Sequence, residues 1–429
     1  YPSAPRATCG AVAAAMGPLP PAPRGLRGVD GARRVVMTQT DGLGLRPLLA
    51  HVAYTPPGWA RGMRAPVHGR IVLSHAPTPV MPWRCPALAE LGVEWSIKRD
   101  DLSGLELSGN KARKLEFLLA EATAGGHDCI VTVGGMQSNH CRATAAAARL
   151  VGLEPHVVLL ASDSKADDDP GLEGNLLVDR MLGATIHICA ASDYFKAGGD
   201  LSAMKTIASE AAQQLRREGR NPYVIPVGAS NALGTWGYVD AVEELRQQFR
   251  LDDGEALPFD HIVMTTGSAG SAAGVAIGAH LSGLGARVHA VCVNGSVDEK
   301  YAEIGAIGED MCCWAAGEGR AKARELITIH DGAGRGYGVS QRAELEFAAQ
   351  VGPASGVLFD PIYTGKGLYY FCEAAKRAPD QFRNTRVLWW HTGGMFAMWA
   401  KSAELQPLLP ESQVRRLRLP HEPTRAGFS

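Results

Sequence analysis

At 429 residues the chain is long enough to bury the cores of about two domains. Its 43 lysines and arginines nearly balance 44 aspartates and glutamates, so no basic face is advertised and nucleic acid is not expected as a partner. The best candidate for a membrane span, 272–284, is short and interrupted by glycines and His280, so a soluble protein is expected.

Residues 1–36 differ from the rest. Arg6, Arg24, Arg27, Arg33 and Arg34 stand against one acid, Asp30, in an Ala- and Pro-rich background without a helical or strand period. That composition predicts an organelle transit peptide, for a mitochondrion or chloroplast; otherwise the protein is expected in the cytoplasm. A chain opening on Tyr1 is expected to be a fragment or a processed form. Residues 37–68, with Pro56-Pro57-Gly58-Trp59, read as an irregular lead-in. The nine cysteines are scattered, with Cys312-Cys313 adjacent and no C-x-x-C pair. They read as small core residues in a reducing compartment, not as disulfides or metal ligands, and no metal is expected.

From Glu94 the pattern becomes regular. Strands are predicted at Glu94–Arg99, Cys129–Val133, His156–Leu160, Thr185–Cys189, Tyr223–Val227, His261–Thr266, Arg287–Val293, Val357–Phe359 and Arg386–His391. Helices are predicted between them, among them Asn110–Ala124, Asn139–Leu150, Leu201–Glu218 and Thr235–Phe249. Apolar strands alternating with amphipathic helices predict an α/β fold with parallel sheets covered on both faces. In such folds ligands sit at the carboxyl ends of strands, which directs attention to the loops there.

The stretch Leu107-Ser108-Gly109-Asn110-Lys111-Ala112-Arg113-Lys114-Leu115 reads as a turn opening a helix. With Ser108 as N-cap, Lys111 falls in the first helical turn, at the positive end of the dipole, with Arg113 and Lys114 adding positive charge. A lysine crowded by cations loses its proton more easily, and a neutral amine is a nucleophile. Four loops follow strands. Gly134-Gly135-Met136-Gln137-Ser138-Asn139-His140 gathers a hydroxyl, an amide and an imidazole at a helix N-terminus, which suits a carboxylate. Thr265-Thr266-Gly267-Ser268-Ala269-Gly270 has the small residues and hydroxyls of a phosphate cradle, without the P-loop lysine or the G-x-G-x-x-G spacing. Asp360-Pro361-Ile362-Tyr363-Thr364-Gly365 and His391-Thr392-Gly393-Gly394 are the other two. A reactive lysine, an anion loop and a phosphate cradle together call for pyridoxal phosphate.

Here the chain resembles a known family. Lys98-Arg99-Asp100-Asp101-Leu102-Ser103-Gly104, Leu107–Phe117, Gly134–Arg142 and Asp360–Gly365, in that order, look like the D-cysteine desulfhydrase and 1-aminocyclopropane-1-carboxylate (ACC) deaminase family. The resemblance runs from roughly Arg70 to Lys401. Pro56-Pro57-Gly58-Trp59-Ala60 and Tyr223–Gly228 are similar to its plant-type members. It implies the two-domain fold type II of pyridoxal-phosphate enzymes, as in tryptophan synthase β. A small domain of 108–225 would be inserted into a large one of 69–107 plus 226–405, followed by a tail of 406–429. The cofactor would lie in the cleft between the domains, and homodimerisation is implied with it.

The resemblance also implies roles. Lys111 matches the Schiff-base lysine and Lys114 a residue near the phosphate. Asn139 matches the amide facing the ring's phenolic oxygen. Ser138, Asn139 and His140 match the substrate-carboxylate side. Thr266-Gly267-Ser268-Ala269-Gly270 matches the phosphate cradle, with Ala269 where plant-type members tend to have glycine. Tyr337 and Tyr363 match tyrosines of the substrate pocket. ACC deaminases resemble Tyr-Glu-Gly where this chain has Tyr363-Thr364-Gly365, and they carry Leu where it has Thr392. A carboxylate at the pyridine nitrogen keeps the ring a deep electron sink, which cyclopropane opening needs; threonines leave a shallower one, enough for loss of a thiolate. The expected activity is β-elimination of D-cysteine to sulfide, ammonia and pyruvate, with Lys111, Ser138, Tyr337 and Tyr363 catalytic. ACC deaminase, alone or as a second activity, is the first alternative. A nucleotide- or dinucleotide-binding oxidoreductase built on Gly267–Gly274 is the second, and it leaves Lys111 unexplained. A non-catalytic carrier of pyridoxal phosphate is the third.

Overall fold

The structure is a computed structural model that describes residues 48–252, 255–410, 414, 415 and 417. The basic segment 1–36, the first part of the lead-in and most of the C-terminal tail lie outside the described residues. A short strand β1 (His51–Val52) pairs antiparallel with β2 (Arg70–Ile71), and β3 (Val80–Pro82) lies antiparallel on β4 (Glu94–Arg99). Then follow α1 (Lys111–Ala124), β5 (Cys129–Gly135), α2 (Asn139–Leu150), β6 (Glu154–Ala161), α3 (Gly174–Met181), β7 (Thr185–Ala190), α4 (Ala191–Lys196), α5 (Leu201–Arg217) and β8 (Pro222–Val224). The chain continues through α6 (Ala232–Phe249), β9 (His261–Thr266), α7 (Gly270–Leu281), β10 (Arg287–Cys292), α8 (Val297–Asp310), α9 (Gly319–Leu326), β11 (Ile327–Asp331), α10 (Arg342–Ser355), α11 (Thr364–Arg377) and β12 (Arg386–His391).

Two sheets result. One has the order β7-β6-β5-β8 and is wholly parallel. The other has the order β11-β10-β9-β12-β4-β3 and is parallel except for β3. Every residue of β9 is buried, and so are the first six of β5, because helices cover both faces. α5 shows the complementary pattern, burying Ala203, Ala208, Ala212 and Leu215 along one stripe. Helix α1 packs on α2 on one side and on α6 on the other, so ten of its fourteen residues are buried, charged ones included. This is the expected α/β class, fold type II.

The differences from the sequence reading have local causes. Helix α1 begins at Lys111 with Asn110 as its N-cap, not Ser108. Gly109 sits at φ 105°, which no helix tolerates. The Ser103 hydroxyl bonds both its N–H and its carbonyl at 2.9 Å, which fixes the turn. Val357–Phe359 forms no strand. Leu358 gives its carbonyl to His391 Nε2 at 3.0 Å, and the Phe359 ring stacks on His391, so side-chain contacts replace ladder pairing. Strand β11 has no counterpart among the predicted strands, because it follows α9 with no turn residue between them. The eight cysteines among the described residues are all free thiols.

Candidate active site

A cavity of about 410 Å³ opens where the carboxyl ends of β5 and β9 face each other across the start of α1. Among its walls are Asn110 and Lys111 from α1, Ser138, Asn139 and His140 from the β5–α2 turn, Gly228, and Gly267-Ser268 after β9. Asn294 after β10, Tyr337, Tyr363 and Thr392 also line it, with Leu160, Tyr194, Phe195 and Met204 adding an apolar side. A wider groove of about 550 Å³, lined by His280, Arg287 and Arg324, holds none of the candidate residues.

Lys111 is the first residue of its helix, and its Nζ donates to the Gly228 carbonyl at 3.3 Å. Burial lowers its pKa to about 8, with Cys141 acting weakly in the other direction. Lys114, one turn on, is fully buried and donates to the Gly228 carbonyl and to Ser230 Oγ, both at 2.7 Å. Burial, then the neighbouring Lys111, lowers its pKa well below the usual lysine value. Arg113 contributes nothing to this crowding. Its guanidinium turns to the opposite side of α1 and pairs with Asp100 at 2.9 Å and Glu244 at 2.8 Å. The low Lys111 pKa therefore comes from desolvation, not from the cation crowding expected of the basic run.

Ser138 caps α2, accepting from the Cys141 N–H at 3.2 Å. His140 Nε2 meets Thr132 Oγ1 at 2.7 Å, and burial, then Lys111 and Lys114, holds the imidazole well below its ordinary pKa, hence neutral. Tyr363 donates its hydroxyl to the Thr265 carbonyl at 3.2 Å. Ser268 Oγ lies 2.9 Å from Ser230 Oγ, which also accepts from Gly270 N–H at 3.3 Å. Gly228 closes this corner at φ 65°; a Cβ there would stand 1.9 Å from Ser268 Oγ and 3.3 Å from Lys111 Nζ. Ala269 adopts φ 58°, a conformation that glycine enters more readily, and Gly270 opens α7 behind it.

Not every candidate faces the cavity. Lys111, Ser138, Asn139, His140, Gly267, Ser268, Tyr337, Tyr363 and Thr392 do. Lys114, Thr266, Ala269 and Gly270 stand behind the wall. Thr364 is turned away from it: it is fully buried at the start of α11, and its hydroxyl donates to Asp360 Oδ2 at 2.8 Å. The same carboxylate accepts from the Ile362, Tyr363 and Thr364 N–H groups at 2.7 to 3.0 Å, so Thr364 helps lock the turn. Sequence reasoning gave no role to Asp360, Gly228, Ser230 or Asn294. Gly228 stood in the Tyr223–Gly228 motif; Ser230 sits two residues beyond it, and only the fold brings it to Ser268.

These residues fit pyridoxal phosphate. Among the described residues Lys111 and Lys114 have no carboxylate partner, so the corner has no anion of its own, and a phosphate would supply one. Thr392 Oγ1 is buried with no hydrogen-bond partner and borders the cavity, as a ligand-facing hydroxyl would. Lys111 supplies an amine for the aldehyde.

A family model described as pyridoxal-phosphate dependent enzyme matches residues 71–393. The chain is 39% identical over 375 residues to a bifunctional D-cysteine desulfhydrase/ACC deaminase, mitochondrial, of Arabidopsis thaliana, a match covering 87% of this chain and 90% of that protein. It is 35% identical over 337 residues to a D-cysteine desulfhydrase of Klebsiella pneumoniae, covering 77% of this chain and 95% of that one. A solved structure of an ACC deaminase homologue superposes with a TM-score of 0.66 at 31% identity, over 79% of this chain and 96% of the other. A match over residues 71–393, on a cavity whose free amine, orphaned hydroxyl and unbalanced cations suit the cofactor, means that this chain belongs to the pyridoxal-phosphate-dependent enzymes and uses pyridoxal phosphate.

Proposed function

We propose that the protein is a D-cysteine desulfhydrase, releasing sulfide, ammonia and pyruvate by β-elimination. The observation that carries this reading is the acid-free cavity: among the described residues, no aspartate or glutamate lines it. Asp360 is near but bound into its own turn by three N–H groups and a hydroxyl. Thr392 offers a neutral group instead. Bound pyridoxal phosphate supplies the electron sink, and without a facing carboxylate the sink is shallow, enough to expel a thiolate. The named activity of the Klebsiella relative supports the same choice, and the bifunctional name of the Arabidopsis relative includes it.

In this reading Lys111 tethers the cofactor, and Lys114, Ser230 and the Thr266–Gly270 loop hold the phosphate. Ser138, Asn139 and neutral His140 receive the substrate carboxylate at the start of α2, where the helix dipole favours an anion. Lys111 Nζ, once released, takes the α-proton; with its pKa near 8 an appreciable fraction is unprotonated at neutral pH. Tyr337 and Tyr363 flank the β-carbon and the departing sulfur. The domain limits given above, a homodimer and delivery to an organelle by residues 1–36 belong to the same proposal. The last is supported by the arginine-rich, acid-poor composition and by the mitochondrial relative.

ACC deamination as a second activity is supported by the bifunctional name of the Arabidopsis relative and by the likeness to the solved ACC deaminase homologue. Purified protein should be assayed side by side with D-cysteine, L-cysteine, β-chloro-D-alanine and ACC. Sulfide and pyruvate from D-cysteine, exceeding ketobutyrate from ACC, is the expected outcome. Ketobutyrate alone would overturn the assignment in favour of ring opening.

A further inference from the structure

Behind the cavity wall, Asn175 on α3 is fully buried and makes four hydrogen bonds. Its Oδ1 accepts from Arg142 Nε at 3.1 Å. Its Nδ2 donates to the Gln137 carbonyl and to Asn139 Oδ1, both at 3.0 Å. Two of these partners have one possible sense. A guanidinium can only donate and a backbone carbonyl can only accept, so the orientation of the Asn175 amide is fixed. That in turn fixes Asn139. Its oxygen is consumed by Asn175, and its Nδ2 is left as the group turned to the cavity it lines.

Arg142 is itself held firmly. It is fully buried, donates to the carbonyls of Glu106 and, at 2.8 Å, Ser108, and lies over the Phe396 ring at 4.9 Å. Glu106 and Ser108 belong to the turn that delivers Lys111. One guanidinium therefore ties the orientation of Asn139 to the placement of the lysine, through Asn175 on one side and the 106–108 turn on the other.

We infer that Asn175 is a positioning residue, polarised by Arg142, that makes Asn139 present a hydrogen-bond donor, and not an acceptor, to the cofactor. This rests on the reading that Asn139 faces the phenolic oxygen. A donor there stabilises the oxygen in its anionic form. In Asn175→Asp the carboxylate keeps an ionic partner in Arg142 but cannot donate to Asn139. The Asn139 amide then turns over, giving Nδ2 to the new carboxylate and its own oxygen to the ligand.

The test is a spectrophotometric pH titration of the visible band of bound cofactor in wild type and Asn175→Asp, with thermal melts of both. The expected result is a midpoint raised by about one pH unit, a tenfold change in the protonation equilibrium, in a protein that still folds and binds cofactor but melts lower than wild type because the Gln137 carbonyl loses its donor. A midpoint unchanged in a folded, cofactor-loaded Asn175→Asp protein overturns the inference. If that variant does not fold, Asn175→Ala decides instead: an upward shift of smaller size supports the role of Asn175, and no shift refutes it. Borohydride reduction and peptide mapping of the same samples separate the two claims. Cofactor trapped on Lys111 with an unmoved midpoint defeats the Asn175 role alone, whereas cofactor trapped elsewhere in wild type defeats the underlying site reading.

Discussion

Two clusters of buried cations lie on opposite sides of α1, and they are built on opposite rules. On one side Lys98 and Arg113 meet Asp100 and Glu244. Lys98 Nζ is 2.6 Å from Glu244, and Arg113 reaches both carboxylates, while Thr78, Tyr238 and Trp390 satisfy the remaining oxygens and protons. On the other side Lys111 and Lys114 find a carbonyl and a hydroxyl but, among the described residues, no carboxylate. The first cluster is electrically closed and joins β4 and α6 to α1. The second is left open and borders the cavity. Burial of unmatched charge is costly and persists where a ligand supplies the counter-charge, so the imbalance itself locates the anion site.

The largest expected effect breaks the open cluster at its reactive member. Lys111→Ala should reduce sulfide release from D-cysteine by at least about 10²- to 10⁴-fold, the range for losing a positioned proton-transfer group, while the fold melts within a few degrees of wild type. Measurable turnover near the wild-type rate would show that another group does the chemistry. In the closed cluster the outcome should invert. Asp100→Asn leaves buried Arg113 and Lys98 with Glu244 as their one remaining carboxylate partner among the described residues and should cost about 3–5 kcal/mol in urea unfolding. Cofactor affinity in the protein that remains folded should change little. An unaltered unfolding midpoint would mean that the pairing has no structural weight.

Lys114→Met distinguishes the clusters more finely. Pyridoxal phosphate affinity should fall about 10- to 100-fold, the value of a hydrogen bond to a charged group, whereas affinity for pyridoxal, which lacks the phosphate, should not. The cofactor-free variant should melt close to the wild-type temperature, since removing a buried amine that has no carboxylate partner among the described residues offsets the loss of its hydrogen bonds to Gly228 and Ser230. Equal losses for both ligands would place Lys114 away from the phosphate.

Much of this was legible in the residues. β4, α2, β9 and β12 begin and end where periodicity put them, because each is an uninterrupted apolar or amphipathic run with turn residues at its ends. The cavity gathers residues from separate loops because strand ends converge in this architecture. What could not be read was pairing over long separations. Nothing in Ala112-Arg113-Lys114 says that one cation faces Asp100 and Glu244 and the next faces Ser230; helical spacing gives the angle between them, but the partners come from elements 13 to 131 residues away. Thr364 misled for a different, local reason. Its motif position suggested the cofactor, while a carboxylate four residues earlier in the chain takes its hydroxyl.

The smallest effect concerns pH and separates the clusters by whether the fold favours or penalises the charged form. Burial works against the Asp100 charge, but Arg113 and Lys98 outweigh it and hold the carboxyl below the usual range. Its stabilisation is complete above the unfolded value near pH 4 and is lost as pH falls through the lower folded value. For Lys111 stability also rises with pH, but here the fold, through burial, penalises the charged form instead of favouring it. Its folded pKa is about 8, below an unfolded value of about 10.4, so between these limits the unfolded chain binds the extra proton. Cofactor-free wild type should therefore gain stability as pH rises from about 8 toward 10 relative to Lys111→Met, which lacks the titrating amine. Urea midpoints of the two proteins across that range measure the difference. Parallel profiles would mean that Lys111 is solvated like a surface lysine, and the contrast between closed and open clusters would then rest on Lys114 alone.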